Sequence, residues 1–154
     1  MSESVWSFQR NEEVWARRRH PLSFWMRLAV LPLLGATLWI RSIFDPGFLV
    51  LLVLLIVVAW ASERIFPAPD DTKAWAVRAS EGERLFSQGL PPFDSSRGLV
   101  RALTVIGSLG TLIMVSGSIL FDLTTTIVGV IVMLGGKLVA FDRMARAVDV
   151  RNGA

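Results

Sequence analysis

The chain has 154 residues, 53% of them hydrophobic and only 19% charged, with a formal net charge of +3. A soluble domain of this length carries about 45–50% apolar and about 25% charged residues, so the mean hydropathy of +0.53 points to lipid rather than water around much of the surface and excludes an ordinary soluble enzyme. The absence of Cys excludes disulfides, thiolate nucleophiles and thiolate metal centres, and a single histidine, His20, excludes a multi-histidine metal site.

The N-terminal segment, residues 1–21, is polar. Asn11 followed by Glu12 and Glu13 reads as the capped start of a short helix that ends at His20-Pro21. Arg17, Arg18 and Arg19 close it, a cluster that orients the following helix and attracts anionic lipid headgroups. A four-helix transmembrane domain is expected over residues 22–146, because four runs approach the roughly 20 apolar residues that a spanning helix needs. The first, 22–40, has Ser23 placed to cap it, Arg27 able to snorkel from its first turns, and Pro32 inside it as a kink. The second, 46–62, carries no charge and has no polar face.

A long polar connection, 63–98, follows. Its Phe66 to Asp71 stretch is a proline-stiffened turn, and Asp71 or Thr72 can cap a short interfacial helix reaching Phe86, with Trp75 directed at the headgroups. The third run, 99–121, and the fourth, 123–141, differ from the first two in their small residues. Gly107, Gly110 and Gly117 on one and Gly129 and Gly136 on the other form stripes that let two backbones approach closely within an antiparallel hairpin. Lys137 is the one charge in the fourth run, and residues 147–154 read as a tail.

Two tight connections and one long one make two antiparallel hairpins. Of the 16 Lys and Arg only Arg41 belongs to a hairpin tip, which places both termini and the 63–98 connection in the cytoplasm. Glu63-Arg64, Glu83-Arg84 and Asp142-Arg143 all fall on that side. Adjacent helical residues diverge by about 100°, so these groups are expected to pair between segments, as a charge network that also draws in Arg27 and Lys137. No Asp or Glu lies in the middle of any run, where a proton-coupled antiporter would ordinarily need one, and no catalytic, phosphate-loop or metal motif occurs. Neither catalysis nor a cofactor is expected.

His20-Pro21-Leu22-Ser23-Phe24-Trp25-Met26-Arg27, Phe66-Pro67 through Trp75 to Gly82-Glu83-Arg84, and Gly136-Lys137 through Asp142-Arg143-Met144 together resemble a family of small bacterial and archaeal membrane proteins known only as a domain of unknown function. The resemblance runs from about His20 to Arg146 and implies a four-helix membrane protein without implying an activity, substrate or cofactor. The expectation from the residues themselves is an accessory or scaffold subunit of a prokaryotic cytoplasmic membrane. Its expected partners are anionic headgroups and another membrane protein or further copies of itself; nucleic acid is not expected. The alternative is a small homo-oligomeric transporter or channel for a small or anionic solute, with Arg27, Lys137 and the threonines near Asp122, Thr124 to Thr126, lining its cavity.

Overall fold

Helices form where the apolar runs lie, but their ends are set by local chemistry. A computed structural model describes residues 12–71, 73–93 and 96–153, with the side chains of residues 12–14 and 63 outside that description. Among the described residues the chain is all-helical: α1 (Glu12–Arg18), α2 (Pro21–Ile40), α3 (Gly47–Ile65), α4 (Trp75–Ser87), α5 (Arg97–Leu120) and α6 (Leu123–Asn152). Asn11, expected to cap α1, lies outside them. Three helices, α2, α5 and α6, are long and apolar enough to cross a membrane; the apolar part of α3, Gly47–Ser62, is shorter.

The cap of α2 is His20 rather than Ser23: Nδ1 of His20 accepts from the Leu22 N–H at 3.3 Å, and Pro21 occupies the first turn. Proline suits that position because its missing N–H would have no partner there. Ser23 is instead buried, its hydroxyl without a hydrogen-bond partner. α4 begins later than the acidic turn suggests, because Asp71 Oδ1 accepts from the Lys73 N–H at 2.8 Å and so shapes the approach instead of the helix start; Thr72 lies outside the described residues. At its other end Gly89 takes φ +72°, and the Leu90 N–H reaches back to the Leu85 carbonyl at 2.9 Å, a left-handed closure that glycine permits without strain.

The largest departure from the sequence expectation is α6. It does not end at Phe141 with a tail beyond residue 147; it continues to Asn152, 30 residues in all, about 45 Å. Met144, Ala145 and Val148 prolong the buried stripe of Gly129, Met133, Gly136 and Ala140, so the helix has something to pack against after its surface turns polar. Asp122 starts it, with Oδ1 accepting from the Thr125 N–H at 3.1 Å and Oδ2 from the Thr125 hydroxyl at 2.7 Å. These bonds, the side-chain one first, hold the Asp122 carboxyl below its ordinary value.

α5 and α6 run antiparallel with their backbones nearly touching. A Cβ on Gly136 would lie 2.7 Å from the Gly107 nitrogen, and one on Gly117 would lie 2.5 Å from the Thr126 nitrogen. Gly110 faces the backbone of Met133, and Gly129 that of Met114, in the same register. α2 joins this pair through Gly35, which faces Met114, and through Trp39, whose Nε1 donates to the Thr126 hydroxyl at 3.2 Å. Arg41 donates to the Ile119 carbonyl and lies 4.6 Å over the Phe121 ring. α3 returns along α2, so that Phe66 beyond its end stacks on His20 at 4.8 Å.

The aromatic and aliphatic core lies at the charged end of the bundle. One cluster joins Phe24 and Leu28 of α2, Ala76 and Ala79 of α4 and Ala145 of α6; a second joins Leu85, Phe93, Val100, Met144 and Val148. α4 is thus packed into the protein through a face of small residues, and a Cβ on Gly82 would meet the Met144 carbonyl oxygen at 2.5 Å.

Candidate functional site

Charged side chains gather where α4 crosses the ends of α1, α2 and α6. Glu81 and Glu83 are two residues apart, so they leave α4 on nearly opposite sides and meet different partners. Glu83 takes Arg18 at 3.3 Å and Arg27 at 3.8 Å. Glu81 takes Arg19 at 3.2 Å through one oxygen and Arg84 at 2.8 Å through the other. On the remaining side Arg78 binds both oxygens of Asp149, at 2.8 and 2.7 Å, which ties α4 to the far end of α6. Side chains in these pairs are at most a third exposed, so water screens them less than it screens surface pairs.

Of the residues expected to form a charge network, the structure brings Arg27, Glu83 and Lys137 together. With Arg18 they line a cavity of about 170 Å³ walled by Phe24, Leu28 and Phe141. Lys137 reaches it along α6 with its aliphatic stem against Gly107, 3.1 Å from where a Cβ would stand. Arg84 serves the Glu81 pair. Asp142 turns instead to Arg146 one turn along α6, at 2.8 Å. Arg143 lines a separate groove with Pro92 and Ser96. Arg64 lies 4.0 Å over the Trp60 ring, and the side chain of Glu63 lies outside the described ones. Near residue 142 α4 covers the flank of α6 that carries Met144 and Ala145 and leaves Arg143 and Arg146 exposed, so Asp142-Arg143 is sorted differently from Glu83-Arg84.

The arginine run and Trp75 also have occupations that the sequence did not disclose. Arg17 is exposed, but Arg18 and Arg19 turn inward to Glu83 and Glu81. Trp75 is half-buried, stacking on Trp25 at 5.8 Å and meeting the edge of Phe24 at 5.5 Å. Sequence reasoning missed Arg78, Glu81 and Asp149. The signal was there in the small residues Ala76, Ala79 and Ser80, which mark the docked face of α4 and hence which of its charges flank the contact.

A larger cavity, about 410 Å³, opens beside the Glu81 pair between α4 and the end of α6. Arg19, Arg78, Arg84 and Arg151 line it with Glu81, over an apolar wall of Val77, Leu85 and Val148. Among the described residues no group of three or more His, Asp or Glu could hold a metal. The chemistry available here is recognition of charge, with cations in excess.

The architecture defines a class: an all-helical protein with three helices suited by length and composition to a membrane, closed at one end by a helix held in ion pairs. The chain belongs to a family of unknown function, DUF6653, whose model matches residues 2–154. No curated protein and no solved structure matches it.

Proposed function

We propose that this chain is a multi-pass protein of a prokaryotic cytoplasmic membrane, spanning it four times as two antiparallel hairpins, and that it serves as a non-enzymatic accessory or scaffold subunit for other membrane proteins. Both termini and α4 lie in the cytoplasm, following the Lys and Arg bias. At the tip before α3, Ile43 and Phe44 are exposed and add apolar length to the shorter helix. The observation that carries the accessory reading is α3 itself. From Gly47 to Ala61 it buries no side chain, and Val50, Val53, Ile56 and Trp60 stand at least 58% exposed. A helix held along one edge leaves a broad apolar face for lipid or for the helices of a neighbour. Purification of the tagged protein from its own membranes in mild detergent, with native mass, tests this: a reproducible stoichiometric partner is expected, and a homo-oligomer alone would sink it.

The second reading, a small transporter or channel for a small or anionic solute, is favoured by one observation. Arg27 and Lys137 converge on the 170 Å³ cavity at the charged end of the bundle. Anion flux into proteoliposomes that Lys137→Gln abolishes would establish it in place of the first.

A further inference from the structure

The 410 Å³ cavity lies between α4 and the end of α6, beside the contacts that dock the two helices, and its charges are arranged for a ligand. Four guanidinium groups, those of Arg19, Arg78, Arg84 and Arg151, line it against one carboxylate, Glu81. Asp149 stands behind Arg78 with both oxygens on that guanidinium. Counting Asp149, two positive charges remain in excess. Both oxygens of Glu81 are engaged by Arg19 and Arg84, whereas Arg151 makes no hydrogen bond or ion pair among the described residues. An unpaired guanidinium and two surplus positive charges around one hollow call for an anion with several oxygens.

The number of charges and the space narrow its class. A phosphomonoester carries about −1.5 to −2 at neutral pH and three acceptor oxygens, which matches the surplus. A volume of about 410 Å³ exceeds what a bare phosphate fills and falls in the range of about 300–1,000 Å³ of small-molecule sites; Val77, Leu85 and Val148 give an organic body an apolar wall. Position bears on the source. If the hydrocarbon core takes about 20 residues of α6 from Leu123, Val148 and Arg151 stand roughly 9–14 Å beyond its edge along the helix, outside the roughly 5–8 Å headgroup layer. We infer that this cavity binds a soluble phosphomonoester with a small organic body, taken from the aqueous side. The inference does not depend on the accessory role, though its aqueous source rests on α6 crossing the membrane.

The test uses the full-length protein in non-ionic detergent, melted with and without millimolar phenyl phosphate against sodium chloride of equal ionic strength. Arg151→Gln removes a lining charge that holds no other side chain, so folding is left intact, and Arg143→Gln, in the separate groove, controls for net charge. A rise in melting temperature in the wild type and in R143Q is expected, with affinity about tenfold lower in R151Q. No rise in the wild type, or the same rise in R151Q, overturns the site. A parallel arm compares phosphatidylcholine nanodiscs with and without phosphatidic acid. An R151Q-sensitive stabilisation by the lipid alone overturns the soluble assignment and makes the ligand a headgroup.

Discussion

The α5–α6 seam can be tested with two adjacent glycines that differ only in the face they occupy. A Cβ on Gly136 would lie 2.7 Å from the Gly107 nitrogen, 2.9 Å from its Cα and 3.0 Å from the Leu103 carbonyl oxygen, whereas one on Gly135 meets nothing within 4 Å. Ordinary contact begins near 3.4 Å, so Gly136→Ala must part the two backbones by about 0.7 Å. A gap of that size forfeits roughly a quarter to a half of each dispersion contact across it, and inserting a methyl group into a packed seam costs about 1–3 kcal/mol. Both variants gain the same helix propensity, about 0.5–1 kcal/mol for alanine over glycine, so this term cancels in their difference. Gly135→Ala should melt at or above the wild type and Gly136→Ala about 2–12 °C below Gly135→Ala. Tryptophan fluorescence in dodecyl maltoside, with recovery of monodisperse protein after heating, reads the difference. If the two variants melt together, the glycine seam is not what holds α5 against α6.

Three further outcomes follow from particular contacts. Glu83→Gln strips the charge that Arg18 and Arg27 share, at 3.3 and 3.8 Å, and should lower stability by about 1 kcal/mol, or about 2–4 °C, in the same assay; an unchanged melting temperature removes Glu83 from the structural layer. Asp122→Ala should destabilise the start of α6 at neutral pH. Because the folded-state value of Asp122 lies below 3.8, the carboxylate's contribution is complete above that pH and fades as pH falls through the folded-state value, so melting curves of variant and wild type should converge in acid and stay apart at pH 7. Cys introduced at the exposed Ser42 or Thr124 should react with a membrane-impermeant maleimide on intact spheroplasts; labelling only after lysis reverses the proposed orientation.

Much of the helical content was legible because apolar runs declare themselves by length. The facing of Gly107, Gly110 and Gly117 on α5 and Gly129 and Gly136 on α6 was legible too, since small residues at helical spacing have few other uses in such a segment. What escaped was the region where hydropathy falls but packing continues. Past Phe141 the polar flank of α6 hides the stripe of Met144, Ala145 and Val148. The face of α4 that docks on it is made of alanine, serine and glycine, which carry little hydrophobic signal. Pairing between segments was legible for Arg27 and Glu83, but most of the other partners were not, for the same reason. The three acidic-arginine dipeptides were expected to pair between segments alike, whereas pairing depends on which flank α4 covers, and this drew in Arg18, Arg19, Arg78 and Asp149.

α6 is one unbroken rod of 30 residues, and α4 is fastened to its far half by Gly82 against Met144 and by Arg78 on Asp149. Such a rod acts as a lever. With its near end placed in the bilayer as proposed and the midplane about 15 Å from Leu123, some 30 Å would project past the pivot, so a tilt change of about 10° would carry the far end sideways by roughly 5 Å. Bilayer thickness alters helix tilt. In that placement, thinning or thickening the membrane would shift α4 and the α6 side of the arginine-lined hollow against Arg19, which lines the same hollow from just before α2, and would load the Arg19–Glu81 pair that spans it.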